Sequence, residues 1–244
     1  MAELIAVLSG KGGTGKTSLC AGIATALAQQ GLNVLCIDCD VGLRNLDIAL
    51  GISEEPAISF GEVCSGEYDL SDAATHPVYP TLRFLTAPVN GTCDSVDTSA
   101  FSQMLDKARK KFRYVFLDAP AGVEAGFNLA AKYADRILVV TGSDPASIRD
   151  AARAGELLEL MGKNDVRMIV NRINKKRVAY LGLTVDDVMD KAGLPLIGIV
   201  PEDENVILAA ALDQPLLGYT RRGAAAACRR IAKRILGMSV PVEL

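Results

Sequence analysis

The chain has 244 residues, half of them hydrophobic and 23% charged, with a formal net charge of −3. That composition supports a sizeable globular core, and the slight acidity excludes a chain that binds nucleic acid through its overall charge. No run reaches the roughly 18 apolar residues of a membrane-spanning helix and no charged-then-apolar leader opens the sequence, so the protein is expected to be cytoplasmic, with its cysteines reduced.

Apolar, β-rich runs alternate with helical patterns along the chain. Residues 3–9 read as a strand, and the glycine-rich turn after it opens a helix over 16–30 that Gly31 closes. Strands are predicted at 33–38, 82–86, 113–118, 136–141, 166–171 and 195–200, and helices at 98–111, 146–161 and 184–192. The segment Ala224 to Leu236 reads as a final helix with Ala227, Ile231 and Ile235 on one face. Its mostly alanine face suits packing on a sheet, whereas an interfacial membrane helix carries bulkier apolar residues. Crossovers of these lengths make the strands mostly parallel. The expected fold class is therefore α/β: about seven mostly parallel strands, helices on both faces, one domain over 1–244. Right-handed crossovers then gather the ends of three strands, Ser9, Asp38 and Asp118, along one edge of the sheet.

The turn after the first strand reads Gly10-Lys-Gly-Gly-Thr-Gly-Lys-Thr17, which fits the phosphate-loop template G-x-x-x-x-G-K-[ST]. Its glycines let backbone N–H groups turn inward on phosphate oxygens, and the following helix adds its positive end. Lys16 is placed to reach the β/γ phosphates and the Thr17 hydroxyl to ligate Mg²⁺. Lys11 follows the first glycine, where the template asks for nothing. Gly10, Gly12 and Gly15 also spell the dinucleotide fingerprint G-x-G-x-x-G, with Asp38 about 20 residues further on. That alternative has no use for Lys16-Thr17, or for the apolar strand that ends at Asp118 in the manner of a Mg²⁺-supporting carboxylate. Asp38 and Asp40 form a second acidic pair, suited to the metal's waters and to the attacking water. The structural alternative for Asp40 is a cap on the following turn. Cys36 and Cys39 lie three apart on a strand and its exit, so they face opposite sides and read as small core residues, not a metal pair. His76, the single histidine, reads as a surface loop residue.

Lys11-Gly-Gly-Thr-Gly-Lys-Thr17 resembles the deviant phosphate loop of the MinD/ParA ATPases. Asp38-Cys-Asp-Val-Gly-Leu-Arg-Asn-Leu-Asp47 and Asp118-Ala-Pro-Ala-Gly-Val-Glu124 resemble the MinD branch, whose members place the division site. Weaker echoes occur at Ser147–Asp150, Val170–Arg172 and Ile199–Asp203, so the resemblance runs over roughly residues 3–238. It implies a P-loop NTPase fold and an ATP- and Mg²⁺-dependent homodimer that hydrolyses ATP and binds a regulatory protein. It further implies a phosphate cradle of Gly10, Lys11, Gly12, Gly13, Thr14, Gly15, Lys16, Thr17 and Ser18, with Lys11 crossing onto the partner's phosphates. Thr17, Asp38 and Asp118 serve the metal, Asp40 orients water, and Asn171, Pro201, Glu202 and Asp203 flank the adenine.

Relatives that share Lys11 include an iron–sulfur electron donor with two cysteine ligands per subunit. Cys93 lies in a suitable region, but the next cysteine is Cys228. A DNA-partitioning ATPase would use a basic patch; Arg172, Lys175, Lys176 and Arg177 form one cluster, and Arg221, Arg222, Arg229, Arg230, Lys233 and Arg234 another. A solvated face is the ordinary reading of such runs, and nucleic acid is not the expected partner. A regulator of flagellar number is a further alternative. After Gly237 only Met-Ser-Val-Pro-Val-Glu-Leu244 follows, which is too short and too little basic to anchor the chain to a membrane by itself.

Overall fold

A computed structural model describes residues 2–174, 176, 180 and 184–243. Among them, the strands are β1 (Glu3–Leu8), β2 (Val34–Asp38), β3 (Ala74–Thr75), β4 (Leu82–Leu85), β5 (Tyr114–Asp118), β6 (Arg136–Thr141), β7 (Val166–Ile173) and β8 (Leu196–Pro201). They form one sheet in the order β3-β4-β2-β5-β1-β6-β7-β8, parallel throughout except for the β3–β4 pair. The central strands β2 and β5 are buried at every position, so both of their faces are covered and their apolar runs need not alternate.

One face is covered by α3 (Phe60–Ser65), α4 (Thr98–Lys111), α5 (Ala125–Tyr133), α6 (Pro145–Leu160) and α7 (Val185–Ala192). The other carries α1 (Lys16–Ala28), α2 (Leu46–Leu50), α8 (Asn205–Ala211), α9 (Leu216–Tyr219) and α10 (Gly223–Ile235). Cys36 and Cys39 fall into these two opposite cores, both fully buried, as their spacing on the strand predicts.

The structure departs from the sequence reading in local ways. The eighth strand, β3, has only two residues and stops beside Pro77, too short for an alternating pattern to register. The helices α2, α3, α8 and α9 span four to seven residues, less than two helical turns. His76 is buried and not on the surface. Its Nε2 lies 2.9 Å from the Leu50 carbonyl, and its Nδ1 accepts the N–H groups of Val78 and Tyr79. The ring thus fastens a proline-flanked turn onto the end of α2, and burial holds its pKa below the ordinary imidazole value.

The final helix packs as its alanine face predicts. Ala224, Ala227, Cys228, Ile231 and Ile235 are buried, with α10 lying on α1 and β8. A Cβ added at Gly22 of α1 would sit 2.7 Å from Cys228 Sγ, which sets how closely the two helices approach. Among the described residues no helix is long and apolar enough to cross a membrane.

Overpacking at this contact has a definite signature. Gly22→Ala is expected to destabilise the fold by about 1–3 kcal/mol, although alanine is the better helix former. In a Cys228→Ala background the same substitution becomes neutral or stabilising, because the clashing sulfur is gone. Urea unfolding of the four-member cycle measures this; equal costs in both backgrounds would show that the helix contact is not limiting.

Candidate functional site

The registers of β1, β2 and β5 bring their carboxyl ends together: Asp38 pairs with Asp118, and Asp118 with Val7, two residues before Ser9. The loop that leaves β1 contains the glycines at 10, 12, 13 and 15. Gly10 is forced by proximity, since a Cβ there would lie 2.5 Å from the Asp150 carbonyl oxygen of α6. Gly15 is forced twice: its φ of +86° is left-handed, and a Cβ would strike the side-chain nitrogen of Asn171. Lys16 begins α1 directly after Gly15, so the loop's N–H groups and the helix N-terminus converge on one point, an arrangement that favours phosphate.

The two lysines of the loop differ. Lys16 is buried, 8% exposed, and its charge acts on Asp40 and Asp118. Lys11, together with Gly12 and Gly13, is exposed; its charge acts on Asp144, the residue that caps α6 through the Ser147 N–H. A concavity of about 290 Å³ lies there, bounded by Lys11, Gly13, Asp144, Asn171 and Glu202.

The carboxylates are also distinguishable. Asp38 is buried; its Oδ1 accepts from the Asp40 N–H at 2.9 Å and its Oδ2 from the N–H groups of Asn45 and Leu46 at 3.1 and 3.2 Å. Asp38, not Asp40, therefore caps the turn into α2. Burial raises the pKa of Asp38 against the pull of those hydrogen bonds. Asp40 is half-buried, its pKa raised by desolvation with Lys16 opposing. Asp118 is pushed up to about 7 by burial, with Lys16 and the Thr17 hydroxyl opposing.

Two buried polar atoms here have no hydrogen-bond partner, Asp118 Oδ1 and Thr14 Oγ1. Such orphans are costly, and both stand at the converging loop and strand ends. Two carboxylates and a hydroxyl at Thr17 are hard oxygen donors, the set that suits Mg²⁺ supported by waters and a phosphate. The residues present therefore fit this metal.

Asn171, buried within β7, donates from Nδ2 to the Thr14 carbonyl at 2.7 Å, bracing the loop across the sheet. This brace was not legible in sequence, where Asn171 stood only for a base contact. Asn171 also borders a cavity of about 740 Å³, together with Gly15, Ser18, Pro201, Glu202 and Asp203. The Asp203 carboxylate is already engaged: it accepts from the Ala224 N–H at 2.8 Å and from Asn205, tying α8 and α10 together. What Asp203 offers the cavity is thus its position more than its charge. Glu202 is exposed and accepts from Asn174 at 3.0 Å.

The basic clusters are less open than the sequence implies. Arg229, Arg230 and Arg234 donate to the carbonyls of Leu217, Glu243 and Ile197 at 3.1, 2.8 and 2.9 Å. Arg172 and Lys176 are exposed, while Lys175 and Arg177 lie outside the described residues.

Asp118 makes the fold sensitive to pH. Its folded value, about 7, lies above the unfolded value near 3.9, so the folded chain holds more protons between the two. Its stabilising contribution is full below about pH 4 and lost as pH rises through 7, up to about 4 kcal/mol. Asp118→Asn cannot ionise, so without nucleotide and Mg²⁺ it should melt above the parent at pH 8 and converge with it toward pH 4. A difference that does not change with pH would contradict the assignment.

Comparison with known proteins agrees with this geometry. Residues 5–216 match the family model of the CobQ/CobB/MinD/ParA nucleotide binding domain. The septum site-determining protein MinD of Synechocystis is 34% identical over 99% of this chain and 92% of its own length. That of Bacillus subtilis is 35% identical over 100% and 92%. The solved MinC:MinD cell division protein complex of Aquifex aeolicus contains a chain that superposes with a TM-score of 0.92 at 34% identity, covering 100% of this chain and 99% of that one. The chain thus belongs to the CobQ/CobB/MinD/ParA nucleotide-binding family, and within it is a MinD-like ATPase that uses ATP and Mg²⁺.

Proposed function

We propose that residues 1–244 act as one domain, a switch in cell-division-site placement in which ATP drives homodimerisation and hydrolysis reverses it. The observation that carries this reading is the contrast within one loop between buried Lys16 and exposed Lys11. A lysine serving its own subunit's phosphates belongs inside the cradle, as Lys16 is. Lys11 stands on the surface beside Asp144, free to reach a second copy. Phosphoryl transfer is catalysed mainly by positioning and charge stabilisation, so a lysine delivered by dimerisation makes hydrolysis conditional on assembly.

In this reading the backbone from Gly10 to Gly15 and the Lys16 ammonium hold the phosphates. Thr17 would ligate Mg²⁺, and Asp38 and Asp118 would hold its water ligands. Bound there, Mg²⁺ neutralises phosphate charge and orders the leaving oxygens. Asp40 orients the attacking water. Ser18, Asn171, Pro201, Glu202 and Asp203 border the space for ribose and base. The complex of the Aquifex relative with MinC supports a regulatory protein as partner. We place the protein in the cytoplasm, with any membrane association made through such a partner or a basic tail.

Three variants separate these roles, with oligomeric state read by light scattering after size exclusion. Lys16→Ala should lose ATP binding. Lys11→Ala should bind ATP as a monomer but neither dimerise nor hydrolyse. Asp40→Ala should bind Mg·ATP and accumulate as a dimer, with hydrolysis reduced by about 10²–10⁴. A Lys11→Ala protein that dimerises and turns over like the parent would overturn the switch reading.

A further inference from the structure

The loop that carries Asp40 is held at both ends by the strand-end carboxylate and, on its flank, by a side chain from a distant strand exit. The Asp38 carboxylate holds its beginning through the Asp40 N–H and its end through the Asn45 and Leu46 N–H groups. The flanking hold is lateral: Arg44 Nε donates to Thr86 Oγ1 at 2.7 Å, across 42 residues of chain. Thr86 is a fixed anchor. It is buried, its N–H donates to the Ile58 carbonyl at 3.0 Å, and its carbonyl accepts the Phe60 N–H at 2.9 Å. The Arg44 charge also reaches Glu62, whose carboxylate is held by Ser59 in the cap of α3.

Arg44 has a φ of +29°, a left-handed backbone that residues with side chains rarely adopt. Such a conformation persists only where the surroundings over-determine it. Its N–H returns to the Asp40 carbonyl at 3.4 Å, closing a turn over Asp40, Leu43 and Arg44. The backbone position of Asp40 therefore depends on where Arg44 is held, and the Lys16 charge already acts on the Asp40 carboxylate.

We infer that Arg44, latched onto Thr86, is a positioning residue for hydrolysis: it holds the Asp40 turn against the phosphate lysine, making turnover depend on the exit of β4. This rests on the reading of Asp40 as the residue that orients water. Loss of the latch lets the turn relax its strained residue and carries Asp40 away, while the phosphate cradle, which shares no atom with the latch, is untouched. The cleft of about 450 Å³ beside it is bordered by Arg44, Ser59, Glu62, Thr86 and Asn90, so the latch is accessible from outside the nucleotide site.

The test compares Thr86→Val, Thr86→Ser, Arg44→Gly and Asp40→Ala for Mg·ATP affinity, dimerisation and steady-state kcat. Thr86→Val keeps the shape but removes the acceptor, and should lower kcat by about 10–100-fold, the scale expected of a displacement near 1 Å. Nucleotide affinity and the ATP dimer should stay within about twofold of the parent. Thr86→Ser restores the acceptor and should recover kcat. Arg44→Gly tolerates the backbone angle but lacks the guanidinium, and should fall with Thr86→Val. Normal turnover in Thr86→Val and Arg44→Gly, with Asp40→Ala impaired, overturns the latch alone. Normal turnover in Asp40→Ala overturns the reading beneath it. A loss of affinity that parallels kcat, unrelieved by serine, marks Thr86 as merely structural and also overturns the latch.

Discussion

Lys16 is a buried cation whose charge acts on the carboxylates of Asp40 and Asp118, next to the strand end at Asp38, and much of the fold serves to hold that charge where it is. Parallel strands in register set the ends of β2 and β5 side by side, which forces Asp38 and Asp118 into adjacent, desolvated positions. Burial, and secondarily the neighbouring Asp38 charge, resists ionisation of Asp118, which moves up to about 7. The single lysine offsets this only in part. Adding a polyphosphate to such a centre raises the need for positive charge. In the proposed switch a divalent cation would meet some of it and a lysine brought by a second copy the rest.

Rigidity around that centre comes from polar side chains used as fasteners. Asp38 caps the Asp40 turn, Asn171 braces the phosphate loop, Asp203 ties α8 to α10, and Arg44 reaches Thr86. The first three satisfy backbone groups that are otherwise left without partners where strands give way to loops, while Arg44 bonds a side-chain hydroxyl. On the exposed side of the loop the Ser9 hydroxyl donates to the Lys11 carbonyl at 2.8 Å, while Lys11, Gly12 and Gly13 stand at the surface. Buried Lys16 and exposed Lys11 thus lie on opposite sides of one loop.

The sequence made the sheet, the phosphate loop and the two strand-end acids, Asp38 and Asp118, legible, because each rests on local pattern. Apolar runs without alternation mark β2, β5 and β6, and the helix over Thr98–Lys111 begins and ends where its periodicity does. Contacts between distant segments were not legible. Nothing around His76 in the chain announces that it will be buried against Leu50, and nothing beside Asn171 points to Thr14, 157 residues away. The basic run in α10 looked like a surface until Arg229, Arg230 and Arg234 were found donating to carbonyls. Short helices such as α2 escaped because their stability is tertiary: Leu46 and Leu50 are buried, and the cap is supplied by Asp38 from the preceding strand.

The central claim is that each phosphate site is completed by the Lys11 of another copy. Mixing two individually inactive subunits tests it most directly. In a dimer of one Lys11→Ala and one Asp40→Ala subunit, the first keeps its own Asp40 and receives Lys11 from the second. That site is whole, while the other lacks both groups. The account predicts that the mixture regains ATP hydrolysis that neither variant shows alone, rising with the fraction of mixed dimer. A mixed dimer that forms with ATP, as shown by capture through a tag on one subunit, yet remains as inactive as its parents would contradict it.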